Sequence, residues 1–198
     1  MRRFPFKHTH RVVIDPGEFY VSKKQEVIST LLGSCVAACL YDPVNKIIGM
    51  NHFLLAYRHH AHNMPLIETE EARYGMYAME LLINEMMKKG ANKLNLKAKC
   101  FGGGNVLHLR EDRANSQTVG DVNIEFIKSF LKQESIPIVG ACLGGDYGRN
   151  VHFVGDDFSV YIKRIETNQE KQLEKEERQF WKQSVDEHEH AKSRADFW

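Results

Sequence analysis

Two apolar runs flanking one short turn constrain this chain more than any other feature. Residues 35–41 read Cys-Val-Ala-Ala-Cys-Leu-Tyr and residues 47–55 read Ile-Ile-Gly-Met-Asn-His-Phe-Leu-Leu. Asp42-Pro43-Val44-Asn45-Lys46 lies between them and carries turn chemistry. Apolar runs of this length, bounded by turn residues, read as buried strands, and so short a connection makes them an antiparallel hairpin. Little else in either run carries chemistry. The first opens on the bend Gly33-Ser34-Cys35, and the second holds His52. A thiol and an imidazole so placed are either a nucleophile and its base, or a small core residue and a satisfied core histidine.

Hairpin geometry limits the choice. Across an antiparallel pair, opposed residue numbers share one total, which the turn length sets. A two-residue turn gives 87 and puts Cys35 directly opposite His52, with β-carbons about 4.5–5.5 Å apart. Pro43 disfavours that turn, because it cannot take the positive φ the tight primed turns require. A four-residue turn gives 89 and leaves the pair diagonal on one face, about 7–8 Å apart between backbones. A three-residue turn sends them to opposite faces. If they meet, the imidazole favours the thiolate, and the amides of the Gly33-Ser34 bend can steady an oxyanion. Ser29 and Thr30, on the preceding strand, are the nearest groups able to orient the ring. Strand alternation lets only one of them face it.

The rest of the chain predicts an α/β domain. Strands are expected at 18–22, 27–31, 92–100 and 136–143, with a hairpin of 151–154 and 158–162 around Gly155-Asp156-Asp157. Helices are expected at 70–89, where Lys88-Lys89-Gly90 makes a C-terminal stop, and at 119–132. The sum is a largely antiparallel sheet with two long helices. Residues 1–16 form a basic N-terminal extension ending at Asp15-Pro16-Gly17, and residues 17–164 the domain. Residues 165–198 form a charged tail: from 166 onward, 15 of 33 residues are Asp, Glu, Lys or Arg. Leu173, Phe180, Trp181 and Val185 fall near one face of a helix there. Such a helix is either solvated or docked, on a partner or on its own domain, through Phe180 and Trp181.

Several function classes are disfavoured. A net charge of +1 gives no general affinity for nucleic acid or anionic lipid. No apolar run approaches the roughly 20 residues of a membrane helix, and the N-terminus lacks the apolar stretch of a signal peptide. Three of the four cysteines, Cys35, Cys39 and Cys142, lie among apolar residues and glycines, and they then read as free thiols in the cytoplasm. His59-His60-Ala61-His62 lacks the fixed spacing and companion ligands of a metal site, and reads instead as a loop near the substrate. Gly102-Gly103-Gly104 has no following Lys-Ser/Thr, so it is a close-packing loop rather than a phosphate loop.

Longer motifs carry a resemblance. Ser29-Thr30-Leu31-Leu32-Gly33-Ser34-Cys35-Val36-Ala37 with Met50-Asn51-His52-Phe53-Leu54-Leu55 resembles the CheD family of chemoreceptor glutamine deamidases. Arg73-Tyr74-Gly75, Ala78-Met79-Glu80-Leu81-Leu82-Ile83-Asn84, Ala98-Lys99, Phe101-Gly102-Gly103-Gly104, Gly144-Gly145 and Gly148-Arg149 extend it over roughly residues 17–163. Cys142 stands where the family tends to carry Asp, and Val122 where it usually carries Arg. Both departures bear on substrate or partner contacts. The resemblance implies a three-layer α/β sandwich related to bacterial glutamine-deamidating toxins. It implies a catalytic group of Cys35, His52 and a hydroxyl residue, Ser29 by register or Thr30 by type. Gly33, Ser34 and Asn51 are the candidates for oxyanion binding or substrate positioning.

The implied reaction is attack of the Cys35 thiolate on the side-chain amide of a receptor glutamine. His52 protonates the leaving ammonia, then activates water against the thioester to give glutamate. No metal or organic cofactor is needed. The implied partners are the cytoplasmic domain of a methyl-accepting chemoreceptor and a CheC-type phosphatase. The alternative is a non-catalytic scaffold that binds that phosphatase or the receptor.

Overall fold

A computed structural model describes residues 1–55, 70–106, 118–165 and 167–195. The chain is α/β. In order it forms β1 (Arg2–Phe6), β2 (Thr9–Val13), β3 (Phe19–Ser22), β4 (Val27–Leu32), β5 (Val36–Asp42) and β6 (Ile47–Asn51). After these come α1 (Glu70–Lys88), β7 (Lys97–Gly102), α2 (Val119–Gln133), β8 (Ile138–Leu143), β9 (Arg149–Val154), β10 (Val160–Arg164) and α3 (Thr167–Ala195). No helix among the described residues is long and apolar enough to cross a membrane. The His59–His62 loop lies outside the described residues.

Where the sequence suggests one sheet, there are two. The first runs β1-β2-β4-β9-β10 and the second β3-β6-β5-β7-β8. Pairing is mostly antiparallel, but β2/β4 and β7/β8 are parallel. The physical reason is the Gly33-Ser34 bend. It carries the chain out of β4 in the first sheet and into β5 in the second, so these consecutive strands do not pair. Residues 2–13, for which the sequence assigns no element, supply β1 and β2 and extend the first sheet beside β4.

β5 shows why two sheets are needed. Every one of its residues is buried. Val36, Ala38 and Leu40 pack with Leu82, Met86 and Phe126 of α1 and α2. The alternate set, Ala37, Cys39 and Tyr41, packs with Ile28, Val151 and Phe153 of the first sheet. A strand covered on both faces reads as an unbroken apolar run, which is what the sequence displays. Cys39 is accordingly a core residue. Thr118 and Asp121 start α2 with a reciprocal capping box.

The β5–β6 hairpin takes the four-residue turn. Leu40 opposes Gly49 and Asp42 opposes Ile47, the register totalling 89. The Asp42 carboxylate accepts from the amides of Val44 and Asn45 at 2.9 and 3.0 Å, closing the turn around Pro43. The isolated bridge between Val36 and Phe53 continues this register to the end of both strands.

The charged tail is helical and lies on its own domain. Leu173 is buried, and Phe180 and Trp181 pack against the core between the sheets. The side chain of Val185 lies outside the described residues.

Candidate active site

The site forms where the chain passes from one sheet to the other. Three successive carbonyls of the bend are held on one side. Gly33 O accepts from Gly104 N and Cys35 O from Gly103 N, each at 2.7 Å, and Ser34 O accepts from Asn123 Nδ2 at 3.0 Å. With the carbonyls fixed there, the amides of Gly33, Ser34 and Cys35 converge on the other side. Successive N–H groups converging in this way make an anion nest. The Gly102–Gly104 loop is glycine-rich for this reason. A Cβ on Gly102, whose φ is +108°, would stand 2.1 Å from the carbonyl oxygen of Cys35. Gly102→Ala is therefore expected to cost about 3 kcal/mol or more, because the obstacle is backbone. Its midpoint of urea denaturation checks this; an unshifted midpoint would mean that the nest does not depend on this approach.

His52 reaches the same place from β6. Its backbone is pinned by Glu18 O and Gly17 N, at 3.0 and 2.8 Å. The 89 register puts it diagonal to Cys35 on the face turned to the first sheet. Across that gap Thr30 Oγ1 of β4 lies 2.7 Å from His52 Nδ1 and 2.8 Å from Ile14 O. A carbonyl can only accept, so the single hydroxyl proton goes to Ile14, and Nδ1–H of His52 donates to Thr30. Nε2 is left with its lone pair, buried and without a hydrogen-bond partner among the described residues. Ser29 points the other way. It opposes His152 in the β4–β9 ladder, and its hydroxyl lies 2.7 Å from His152 Nδ1. Asn51 also turns from the site: its Oδ1 accepts from Ala38 N at 3.0 Å, and its Nδ2 approaches Met79 Sδ on α1.

A fourth group completes the cluster. Glu177 of α3 is fully buried, and its carboxylate fills the nest. Oε1 accepts from Gly33 N at 2.8 Å and Cys35 N at 3.3 Å. Oε2 accepts from Ser34 N at 2.8 Å and Ser34 Oγ at 2.6 Å. Cys35 Sγ, a ring nitrogen of His52 and a Glu177 oxygen lie within 4.8 Å of one another. Those donor types could serve a cation. Each Glu177 oxygen already accepts two hydrogen bonds, however, so the surroundings are those of an anion site.

Burial sets the protonation states. The Cys35 thiol is pushed well above its ordinary value, first by desolvation and then by the Glu177 charge beside it. Desolvation brings His52 down from 6.5 to about 3, so the ring is neutral at physiological pH. Between those two values the unfolded chain binds a proton that the folded one does not. Stability is present above the unfolded value and falls as pH drops, by about 1.4 kcal/mol per unit for this one group. Urea denaturation from about pH 7 to about pH 4 is expected to show a shallower acid loss for His52→Gln than for the parent. Equal slopes would show that His52 is not buried neutral.

Two further site residues, Glu177 and Asn123, carry no signal in the sequence. Glu177 is one of many tail charges, and only its burial singles it out. Asn123 stands beside Val122, which is core. Its amide nevertheless holds Ser34 O, Val119 O and Leu55 N together. At the other departure, Arg149 is buried and donates to the carbonyl of Cys142 and to its Sγ at 3.3 Å.

The chain is similar in sequence to one family of known proteins. The family model described as CheD chemotactic sensory transduction matches residues 55–164. A Geobacter sulfurreducens protein named "Probable chemoreceptor glutamine deamidase CheD 1" is 42% identical over 198 residues, covering 100% of this chain and 98% of that one. A Shewanella oneidensis protein named "Probable chemoreceptor glutamine deamidase CheD 2" is 46% identical, covering 93% and 92%. One from Methylobacillus flagellatus, named "Probable chemoreceptor glutamine deamidase CheD", is 44% identical, covering 76% and 71%.

Proposed function

The chain belongs to the CheD family, and on that footing we propose that it hydrolyses side-chain amides of chemoreceptor glutamines to glutamate. The observation that carries the reading is the hydrogen-bonded chain from Ile14 O through Thr30 to His52, with Cys35 Sγ within 4.8 Å of a His52 ring nitrogen, beside a three-amide nest. The stacking of two helices, the second sheet and the first sheet is read as the family's three-layer sandwich.

Each group has a task in this reaction. His52 Nε2 takes the proton of Cys35, and the thiolate attacks the amide carbon of the glutamine. The carbonyl oxygen gains negative charge, and the amides of Gly33, Ser34 and Cys35 donate to it. The His52 imidazolium then gives its proton to the nitrogen as the C–N bond breaks, releasing ammonia and leaving a thioester. His52 next takes a proton from water, and the hydroxide so formed adds to the thioester carbon. The C–S bond breaks, glutamate is released and Cys35 recovers its proton. Thr30 touches none of the reacting atoms. It keeps His52 in the tautomer with Nε2 free, so it is a positioning residue.

The test is ammonia release from the cytoplasmic fragment of a chemoreceptor, with glutamine-to-glutamate conversion read by peptide mass. Conversion that requires Cys35 and His52 is the expected result; conversion indifferent to both would overturn the reading. Action at a cytoplasmic receptor domain belongs to the same proposal. So does binding of a CheC-type phosphatase, for which family membership is the support and co-purification the check.

A further inference from the structure

We infer that α3 is an internal occupant of the substrate groove, with Glu177 standing where the glutamate product stands. The groove therefore receives an amphipathic helix that presents a glutamine in the place Glu177 now takes. This inference rests on the deamidase reading above.

Glutamate and glutamine share the same side-chain length and branching. Glu177 enters the nest with its carboxylate beside the thiol, as a newly formed glutamate would before leaving. A carboxylate suits the nest better than an amide does. Both of its oxygens accept, whereas the –NH₂ of an amide would face the Ser34 N–H, donor against donor. A glutamate at this position therefore binds as product and holds the groove.

The groove also fits a helix rather than a loop. Leu173, Glu177 and Phe180 fall on one stripe, four and three residues apart. Each meets a glycine on the domain. A Cβ on Gly148 would stand 2.8 Å from Leu173, on Gly33 2.7 Å from Glu177 Oε2, and on Gly17 3.3 Å from Phe180. Trp181 joins Phe180 on the core between the sheets. The register describes the partner: a glutamine with an apolar residue four positions before it and bulky apolar residues three and four after.

With α3 seated, Cys35 is 0% and His52 2% exposed. No glutamine from another chain can reach the thiol until the helix leaves. Departure also removes the neighbouring carboxylate and part of the desolvation that keep Cys35 protonated. The tail thus excludes substrate and lowers the reactivity of the nucleophile together.

Glu177→Gln in the full chain tests the mimicry directly, because the enzyme's own tail then carries the substrate group. Residue 177 is expected to revert to glutamate on incubation, read by peptide mass, and to remain glutamine when Cys35→Ala is added. In parallel, Cys35 of Glu177→Lys is expected to react with iodoacetamide at least about tenfold faster than in the parent. An amide that persists at position 177 while the same preparation deamidates a receptor fragment would overturn the inference and leave the function standing. If neither the tail nor the receptor fragment is deamidated and alkylation nevertheless accelerates, the tail only plugs a site of other chemistry, and mimicry and function both fall. Alkylation equally slow in Glu177→Lys would overturn the occupancy of the groove whatever the deamidation result.

Discussion

Cys35→Ala is expected to lower ammonia release from a chemoreceptor fragment by at least about 10³-fold, because no other group can form the thioester. The loss should appear both in the parent and in a Glu177→Ala background, where the groove is vacated. The fold should survive. What Cys35 contributes to the loop is backbone, its carbonyl to Gly103 and its amide to Glu177, and alanine keeps both. Removing one buried sulfur costs about 1 kcal/mol. The measurement is initial rate against denaturation midpoint for the same preparation. A rate within about tenfold of the parent, with the fold intact, would remove Cys35 from the mechanism. Cys35→Ser is a sharper form of the test. Its hydroxyl keeps the shape but is a far poorer nucleophile beside a neutral, buried imidazole, so it should fall nearly as low.

Much of this was legible in the sequence because it depends on local chemistry. Turn residues located the β5–β6 hairpin, and Pro43 argued against its tightest form. The four-residue turn that resulted makes Cys35 and His52 diagonal neighbours on one face. The helix at α1 followed from apolar spacing and from the Lys88-Lys89-Gly90 stop at its end, and α2 lies where a second helix is expected at 119–132. What stayed hidden is what depends on partners distant in the chain. An unbroken apolar run at 35–41 fits any strand buried on both faces, and does not say whether helices or a second sheet cover it. Without the second sheet, Ser29 and Thr30 cannot be separated, since their difference is which face of β4 looks across to His52. Glu177 lies 142 residues from Cys35, in a segment whose composition describes a solvated helix. Only packing could reveal that one of its carboxylates is buried.

Thr30→Val should lower kcat by about 10²-fold with little change in KM, since the residue orders the base without touching substrate. Valine matches threonine in shape, so the change removes the hydroxyl alone. Two buried groups then lose their partner: the carbonyl of Ile14 and Nδ1–H of His52. Leaving such groups unpaired costs about 1–3 kcal/mol each, so denaturation must be measured beside the kinetics. The kinetic loss has its own cause. Without an acceptor at Nδ1, nothing holds the proton there, and the tautomer with Nε2 protonated cannot accept from Cys35. Thr30→Ser restores the hydroxyl and should recover most of the rate, which a purely structural role for the methyl group would not allow. Ser29→Ala is the matched control. Its hydroxyl bonds His152 on the opposite face, so the rate should stay within about threefold of the parent. Reversed results, with Ser29→Ala crippled and Thr30→Val active, would mean that the working enzyme pairs β4 with His52 in another register. Equal, small effects from both would mean that His52 needs no hydroxyl to hold its tautomer, and the relay from Ile14 would lose its role in catalysis.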